Sequence, residues 1–377
     1  MRFSGWGAMR QRSSSVRQRL LPGIAGGVVL VAIALALTNL YLTQHSLPQT
    51  ATSRKVSFVS QSGLSFSYQG QDIGFSGSTF YPALFDGAQG WHRSDFPTYI
   101  DQMLSLAASA GLNEVRPTDM FDETHPDQRW NDPIVWRNVD YLLAAAKNHK
   151  MFVIMDLSAI KHLLTSQGHD PFDPTPAVWV KNWKPVLDFV GHRYTNESAI
   201  AFYSIVGEPA VPTTAAERDR LVSFYRESLD ELYKADGGHH LIAAGGFNHM
   251  EDVPALQWWQ AIYLLPHNSI AAYKTYSEED LNYIPVVAAW ARHHGKLPVD
   301  EEFGMPQGVS GEAQRVTFFT TVYKRGLQNG VRNFIFWDLG YQIDPTSYEV
   351  SPKTPQVWDV VKQFAQQVLT QTHISPG

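Results

Sequence analysis

Residues 151–209 read MFVIMDLSAIKHLLTSQGHDPFDPTPAVWVKNWKPVLDFVGHRYTNESAIAFYSIVGEP, and they carry the clearest indication of the architecture. Two short apolar runs, at 151–155 and 199–206, have the length and composition of buried strands. Between them, residues 177–194 have the pattern of a helix. A strand, a helix and a second strand indicate parallel pairing, because a parallel connection needs a crossover.

The same alternation extends on both sides of this stretch. Eight strand-like segments, from FSGSTFYP at 75–82 to NFIFWDLG at 333–340, take turns with eight helix-like segments. Eight such units favour a closed barrel over an open sheet. We therefore predict an α/β fold of the (β/α)8 TIM-barrel class for residues 56–372. Short strands joined by Gly-containing turns are expected directly after Val56.

Several helix starts are visible in the sequence. The capping patterns Thr214-x-x-Glu217 and Ser277-x-x-Asp280 each precede a helix-like segment. Pro355 stands where the first residue of the last helix is expected.

An arginine-rich segment and a long apolar run precede the predicted barrel. Residues 1–19 contain five arginines, and the uncharged run at 20–43 contains GIAGGVVLVAIALALTNLYL, about the length that crosses a bilayer. Arginines on the N-terminal side place residues 1–19 in the cytoplasm. We expect a transmembrane signal anchor at 20–43, a linker at 44–55 and a catalytic domain outside the cytoplasm. Cleavage at the small residues 34–36 would instead give a secreted chain.

Composition argues against several classes of function. A net charge of −6, with no basic run beyond the N-terminus, argues against nucleic acid as a partner. The absence of cysteine excludes disulfides, thiolate nucleophiles and cysteine-based zinc sites. The pairs His239/His240 and His293/His294 lack the spacing with a glutamate that zinc hydrolases show. We expect no metal, no cofactor and a monomeric catalytic domain.

Polar residues follow the predicted strands, where the active site of this type of barrel lies. Acetal hydrolysis needs one carboxyl group to protonate the departing oxygen and another to attack or shield the anomeric carbon, with an aromatic face to hold the sugar. The residues at strand ends supply these groups, and they are Arg116, Asp156, Glu208, Asn248, Tyr276, Glu302, Trp337 and Asp338.

At these positions the chain resembles glycoside hydrolase family five, the cellulase and mannanase family of clan A. The family's acid/base glutamate stands in Asn-Glu-Pro after the fourth barrel strand, and its nucleophile in Glu-Phe-Gly after the seventh. The matching residues here are Glu208, followed by Pro209, and Glu302, followed by Phe303 and Gly304. The resemblance covers essentially everything after residue 56. It implies a retaining hydrolase of β-linked glucan- or mannan-type oligo- or polysaccharides, with Glu208 as acid/base and Glu302 as nucleophile.

The resemblance also implies substrate-binding roles for Arg116, Tyr276 and Trp337, after the second, sixth and eighth strands. We add Asn248, which follows the fifth strand. Neighbouring residues on a strand face opposite sides, so only one of Glu301 and Glu302 is expected in the site. The Glu-Phe-Gly frame selects Glu302 and leaves Glu301 facing outward or behind the site.

Three departures from the family pattern leave the substrate open. Gly207 replaces the asparagine that binds the sugar 2-hydroxyl, Lys274 replaces a frequent histidine before Tyr276, and Ser158 replaces another. These departures keep a catalytically weak or inactive carbohydrate-binding barrel as the alternative. A barrel of unrelated chemistry is the third reading, since fold alone does not fix function.

Aromatic residues in predicted loops are candidates for stacking on flanking sugars, although ordinary packing explains each of them at least as well. They are Trp91, Trp130, Trp258, Trp259 and Tyr341.

Overall fold

The computed structural model describes residues 56–80, 87–118, 130–308 and 311–369, all within one compact unit, Val56–Gly377. The predicted cytoplasmic segment 1–19, anchor 20–43 and linker 44–55 lie outside the described residues. Within the described ranges, no helix has the length and apolarity needed to cross a membrane.

A small antiparallel sheet opens the described chain, as the Gly-containing turns predict. Its strands are β1 (Ser60–Ser62), β2 (Ser65–Tyr68) and β3 (Gln71–Ile73), paired in the order β1-β2-β3.

Eight parallel strands then close into a barrel, which confirms the predicted fold class. Each strand pairs with the next in sequence, and the eighth pairs with the first. The strands are β4 (Phe75–Phe80), β5 (Glu114–Pro117), β6 (Phe152–Asp156), β7 (Ile200–Ser204), β8 (Leu241–Ala243), β9 (Asn268–Thr275), β10 (Leu297–Phe303) and β11 (Asn333–Phe336).

Helices surround the barrel. The described α-helices are α1 (Phe96–Ser109), α2 (Pro133–Asn148), α3 (Ala159–Ser166), α4 (Lys184–Tyr194), α5 (Ala215–Asp236), α6 (Trp258–Tyr263), α7 (Tyr283–His293), α8 (Glu312–Gln328) and α9 (Pro355–Leu369). A π-helix at Pro176–Trp183 leads directly into α4, and short 3-10 segments occur at Gly87–His92, Pro254–Leu256 and Asp280–Asn282. One helix, α3, was not predicted. It has eight residues and follows β6 directly, so its short apolar pattern merges with that of the strand.

The predicted helix starts are confirmed. Glu217 N donates to Thr214 Oγ1 at 3.2 Å, and Thr214 N donates to the Glu217 carboxylate at 3.1 Å, which completes a capping box at the start of α5. Ser277 and Asp280 make the equivalent pair of bonds before α7. The last helix, α9, begins at Pro355 as predicted.

The barrel interior is filled by aromatic and aliphatic side chains at its N-terminal end. Phe66 and Tyr68 of β2 are buried there, with ring centroids 5.2 Å from those of Phe75 and Phe152 respectively. Phe66 also stacks near Phe202 of β7. The small sheet therefore closes this end of the barrel and leaves the opposite end for a site.

Candidate active site

A cleft lies at the C-terminal ends of the barrel strands, where the strand-end residues were expected to meet. Its lining consists of Arg116, Thr118, Asp156, Ser158, Lys161, His162, Gly207, Glu208, Lys274, Tyr276, Glu302, Trp337 and Tyr348. The structure thus brings together five of the six residues predicted to act on or bind a sugar.

Glu302, near the end of β10, is a buried carboxylate held by three donors. Arg116 Nη1 and Lys274 Nζ donate to its Oε2 at 2.5 and 2.9 Å, and the Tyr276 hydroxyl donates to its Oε1. Burial alone would raise the pKa of Glu302, but the charges of Lys274 and Arg116, with the Tyr276 hydrogen bond, lower it to about 2. Glu302 is therefore ionised near neutral pH, which is the state that a nucleophile requires.

Arg116 is fixed between two carboxylates. This β5 side chain is buried, and its Nη2 lies 2.6 Å from Asp156 Oδ2 while its Nη1 contacts Glu302. Asp156 is oriented in turn by the backbone N–H of Ser158, which donates to its Oδ1 at 2.7 Å. The planar guanidinium contacts both carboxylates at once, one through each terminal nitrogen. Asp156 therefore orients the arginine that holds Glu302.

Glu208 follows β7 and has a more open environment than Glu302. Its side chain is 37% exposed against 7% for Glu302, so water has access to it. Its φ of 54° lies in the left-handed region, which is uncommon for a residue with a side chain. Lys161 Nζ and Lys274 Nζ lie 3.5 and 3.3 Å from its two carboxylate oxygens.

Lys274 bridges the two glutamates. Its side chain is 5% exposed, and its Nζ contacts both Glu302 and Glu208. Burial works to lower the pKa of Lys274, but the carboxylates of Glu302 and Glu208 outweigh it and the pKa is raised. Lys274 is therefore an ammonium ion in the cleft.

Glu301 lies behind the site, which is one of the two positions expected for it. It is fully buried, its Oε1 is 3.7 Å from Arg116 Nε, and it does not line the cleft. Burial raises the pKa of Glu301 despite the opposing effect of Arg116. The pairing register of β10 shifts between Asp300 and Glu302. The alternation of side chains between the two faces of the strand is interrupted there, so both glutamates approach the same arginine.

Asn248 is the predicted substrate-binding residue that does not line the cleft. The chain after β8 runs beside β9, where Phe247 N donates to Ala272 O and Lys274 N donates to Phe247 O. Asn248 lies beyond this pairing, half-buried. Lys274 occupies the lining on that side of the cleft instead.

Gly207 has no room for a side chain. A Cβ atom there would lie 2.5 Å from the carbonyl oxygen of Gly246 and 3.4 Å from Lys274 Cε. The departure from the expected asparagine is therefore built into the packing of the loops after β7 and β8.

Aromatic side chains form part of the cleft wall. Trp337, after β11, lines the cleft as predicted, and Tyr348 packs edge-on against Tyr276 with ring centroids 5.8 Å apart. Arg315 of α8 is buried and donates to the carbonyl oxygens of Tyr348 at 2.5 Å and Glu349 at 3.2 Å. These bonds fix the segment that carries Tyr348.

The other aromatic candidates do not line the cleft. Trp91, Trp258 and Trp259 are buried in the core, which supports the packing explanation for them. Trp130 is half-buried against Phe189. Tyr341 is 45% exposed outside the cleft.

Four cleft residues were not singled out from the sequence, and they are Thr118, Lys161, His162 and Tyr348. Lys161 and His162 lie on α3, so recognising that short helix after β6 would have drawn attention to them. Tyr348 lies in an irregular segment, and no local pattern marks it.

One group of possible metal ligands occurs among the described residues. His249, Glu251 and Asp252 offer ligand atoms within 4.8 Å of one another in the loop after β8, and His249 and Asp252 are exposed. None of the three lines the cleft.

Comparison with known proteins finds solved structures that share the fold of this chain. No protein-family model matches the chain, and a search among curated proteins finds no match. Solved structures match well. An endo-1,4-β-mannanase from Rhizomucor miehei superposes with a TM-score of 0.65 at 17% identity, covering 83% of this chain and 99% of that one.

Two further solved structures have the same barrel. A glycoside hydrolase family five mannosidase from Rhizomucor miehei has a TM-score of 0.63 at 14% identity, covering 83% of this chain and 97% of that one. The catalytic domain of the major endoglucanase from Xanthomonas campestris pv. campestris has a TM-score of 0.53 at 14% identity, covering 83% and 99%. The resemblance to family five that the motifs indicate is thus matched by a shared fold.

Proposed function

We propose that this chain is a retaining glycoside hydrolase that cleaves β-linked glycans of the glucan or mannan type. The observation that carries the proposal is the pairing of an ionised, triply hydrogen-bonded Glu302 with a second, water-accessible carboxyl group, Glu208, across one cleft. The solved structures that share the fold include a mannanase and an endoglucanase.

The two glutamates suit a double displacement. A Glu302 oxygen bonds to the anomeric carbon while the bond to the leaving oxygen breaks and that oxygen takes the proton of Glu208. Water then attacks the anomeric carbon, gives a proton to Glu208 and releases Glu302 as a carboxylate. The exposure of Glu208 gives water a path for this second step.

The short distance between the facing oxygens of the two carboxyl groups supports retention. Lys274 Nζ is 3.3 Å from Glu208 Oε1 and 2.9 Å from Glu302 Oε2, so these two oxygens are at most about 6.2 Å apart, the sum of those distances. Retaining pairs are separated by about 5 to 5.5 Å and inverting pairs by about 6.5 to 9.5 Å.

A barrel that only binds sugar is the weaker candidate. Sugar binding alone does not require a buried carboxylate that is kept ionised, whereas a nucleophile must be ionised to attack.

We further propose that residues 20–43 anchor the chain in a membrane, with the barrel on the extracytoplasmic side. The apolar length of the segment and the arginines before it support this arrangement. Full-length protein is expected in the membrane fraction, and a chain beginning near Ala51 is expected to be soluble and monomeric. Recovery of a free mature chain that begins near Leu37 would show a cleaved signal instead.

The test of activity uses full-length protein in detergent, assayed with β-glucans, β-mannans and aryl β-glycosides. We expect new reducing ends, and NMR of the early product should show the β-anomer first. Glu302→Gln, purified in parallel, is the matched control and should be inactive. Turnover of no β-glycoside would overturn the proposal, and first appearance of the α-anomer would overturn retention alone.

A further inference from the structure

The side chain of Lys274 passes through a space that glycines leave open. A Cβ atom on Gly246 would lie 3.2 Å from Lys274 Cγ and 2.6 Å from Glu301 Oε2. A Cβ atom on Gly207 would lie against Lys274 Cε at 3.4 Å and collide with the Gly246 carbonyl oxygen. The loops after β7 and β8 therefore have glycine where they pass the lysine stem, and the lysine fills the volume between them.

The ammonium group at the end of this stem has a donor left for a ligand. Lys274 Nζ carries three N–H groups. It donates one to Glu302 at 2.9 Å and forms an ion pair with Glu208 at 3.3 Å, so these described partners engage at most two of the three. Lys274 also lines the cleft. In a glycoside bound for attack by Glu302, the 2-hydroxyl is attached to the carbon next to the anomeric carbon and so comes close to this ammonium.

We propose that Lys274 has two tasks in the reaction, an inference that rests on the proposed glycosidase function. It donates a hydrogen bond to the substrate 2-hydroxyl, in place of a side chain that Gly207 cannot carry. It also stabilises each glutamate in turn while that glutamate is an anion.

The second task follows from the order of charges. Before the first step the anion beside the ammonium is Glu302, which it contacts at 2.9 Å. When Glu302 becomes an ester its charge disappears, and Glu208 has by then given its proton to the leaving oxygen. The ammonium then faces the Glu208 carboxylate at 3.3 Å without rearrangement and keeps it in the ionised form that a general base needs for the second step.

The hydroxyl contact is tested by pairing a variant with a modified substrate. Full-length wild type and Lys274→Met are assayed with the aryl β-glycoside that wild type turns over fastest and with its 2-deoxy analogue. We expect loss of the 2-hydroxyl to lower kcat/KM of wild type at least about tenfold more than that of Lys274→Met, because contacting groups are coupled. Lys362→Met, which removes an exposed charge on α9, should show the wild-type penalty.

The charge task has its own readout. With an activated aryl leaving group, Lys274→Met should slow deglycosylation more than glycosylation, so that a burst of phenol precedes steady turnover. Lys274→Gln keeps a neutral donor, so it should retain part of the hydroxyl coupling while still showing the burst. This second variant also serves if the methionine variant does not fold.

The outcomes separate this inference from the proposed function. If wild type turns over and Glu302→Gln does not, but the 2-deoxy penalty is the same in wild type and both Lys274 variants, the hydroxyl contact is wrong. If both variants show no burst, the charge task is wrong. If wild type turns over no β-glycoside, the glycosidase proposal and this inference fail together.

Discussion

The two ends of the barrel are filled by side chains of opposite character, apolar at the N-terminal end and charged at the C-terminal end. At the N-terminal end, Phe66 and Tyr68 are packed against barrel aromatics without a charge between them. At the C-terminal end, Arg116 and Lys274 are held among carboxylates, each buried charge balanced by another within about 4 Å. Apolar burial stabilises a fold without directing chemistry, whereas paired buried charges set the protonation states that chemistry needs. Stability is therefore expected to depend on the N-terminal end, which the small sheet closes, and activity on the open C-terminal end.

The sharpest test of this comparison is the adjacent pair on β10. Glu302→Gln should lower kcat at least about 10⁴-fold on every substrate, because no glycosyl ester can form. Glu301→Gln should keep turnover within about tenfold of wild type, since this side chain lies behind Arg116. Steady-state rates of the two variants decide the matter, and the reverse pattern would move the nucleophile to Glu301.

Glu208→Ala should affect the two chemical steps unequally. With a poor leaving group the first step should slow about 10²- to 10⁴-fold, the usual contribution of general acid catalysis. With a dinitrophenyl leaving group that step needs no proton, so the glycosyl ester should accumulate. Azide should restore turnover and give a β-glycosyl azide, detected by mass spectrometry and NMR. Failure of azide to accelerate the variant would remove Glu208 from the role of base.

Phe66→Ala tests the closed end. Removing a fully buried ring should lower the free energy of unfolding by about 3 to 5 kcal/mol while kcat per folded molecule stays unchanged. Leu64→Ala, in the same hairpin but 44% exposed, is the matched control and should change stability by less than about 0.5 kcal/mol. Denaturant unfolding measures both. A large drop in kcat for Phe66→Ala would show that the two ends are not independent.

Gly207→Ala should disturb the open end by crowding. The added Cβ would meet the Gly246 carbonyl oxygen at 2.5 Å, so the loops must move apart, at a cost of about 1 to 3 kcal/mol. Ala210→Ser, three residues further along the same loop and exposed, should be neutral. A Gly207→Ala variant with the same free energy of unfolding as wild type would mean that the loops can move apart without a cost in stability.

The lowered pKa of Glu302 also predicts a pH dependence of stability at this end of the barrel. The pKa of Glu302 is about 2 in the folded protein against an ordinary value of 4.5, so its ionised form favours folding above pH 4.5. That contribution is lost as the pH falls from 4.5 towards 2. Glu302→Gln should therefore show a shallower decline in unfolding free energy across this window than wild type. Parallel curves for the two proteins would contradict the lowered pKa.

The sequence predicts the barrel and most of the cleft because both follow from local patterns. Apolar runs followed by polar residues mark the strand ends, so Arg116, Glu208 and Glu302 could be placed in advance. The bridging position of Lys274 could not be predicted, because it depends on space between two loops that only the folded chain reveals. The register shift in β10 likewise brings Glu301 near Arg116 against simple alternation.

The hydrogen bonds of Arg315 to the carbonyl oxygens of Tyr348 and Glu349 have a consequence for the entropy of binding. Immobilising a side chain during association costs about 0.5 to 1.5 kcal/mol. Because α8 already holds the Tyr348 segment in place and Tyr276 packs against its ring, this part of the cleft wall is ordered before a ligand arrives. Little of that cost then remains to be met on binding, so this part of the cleft is pre-organised for a ligand.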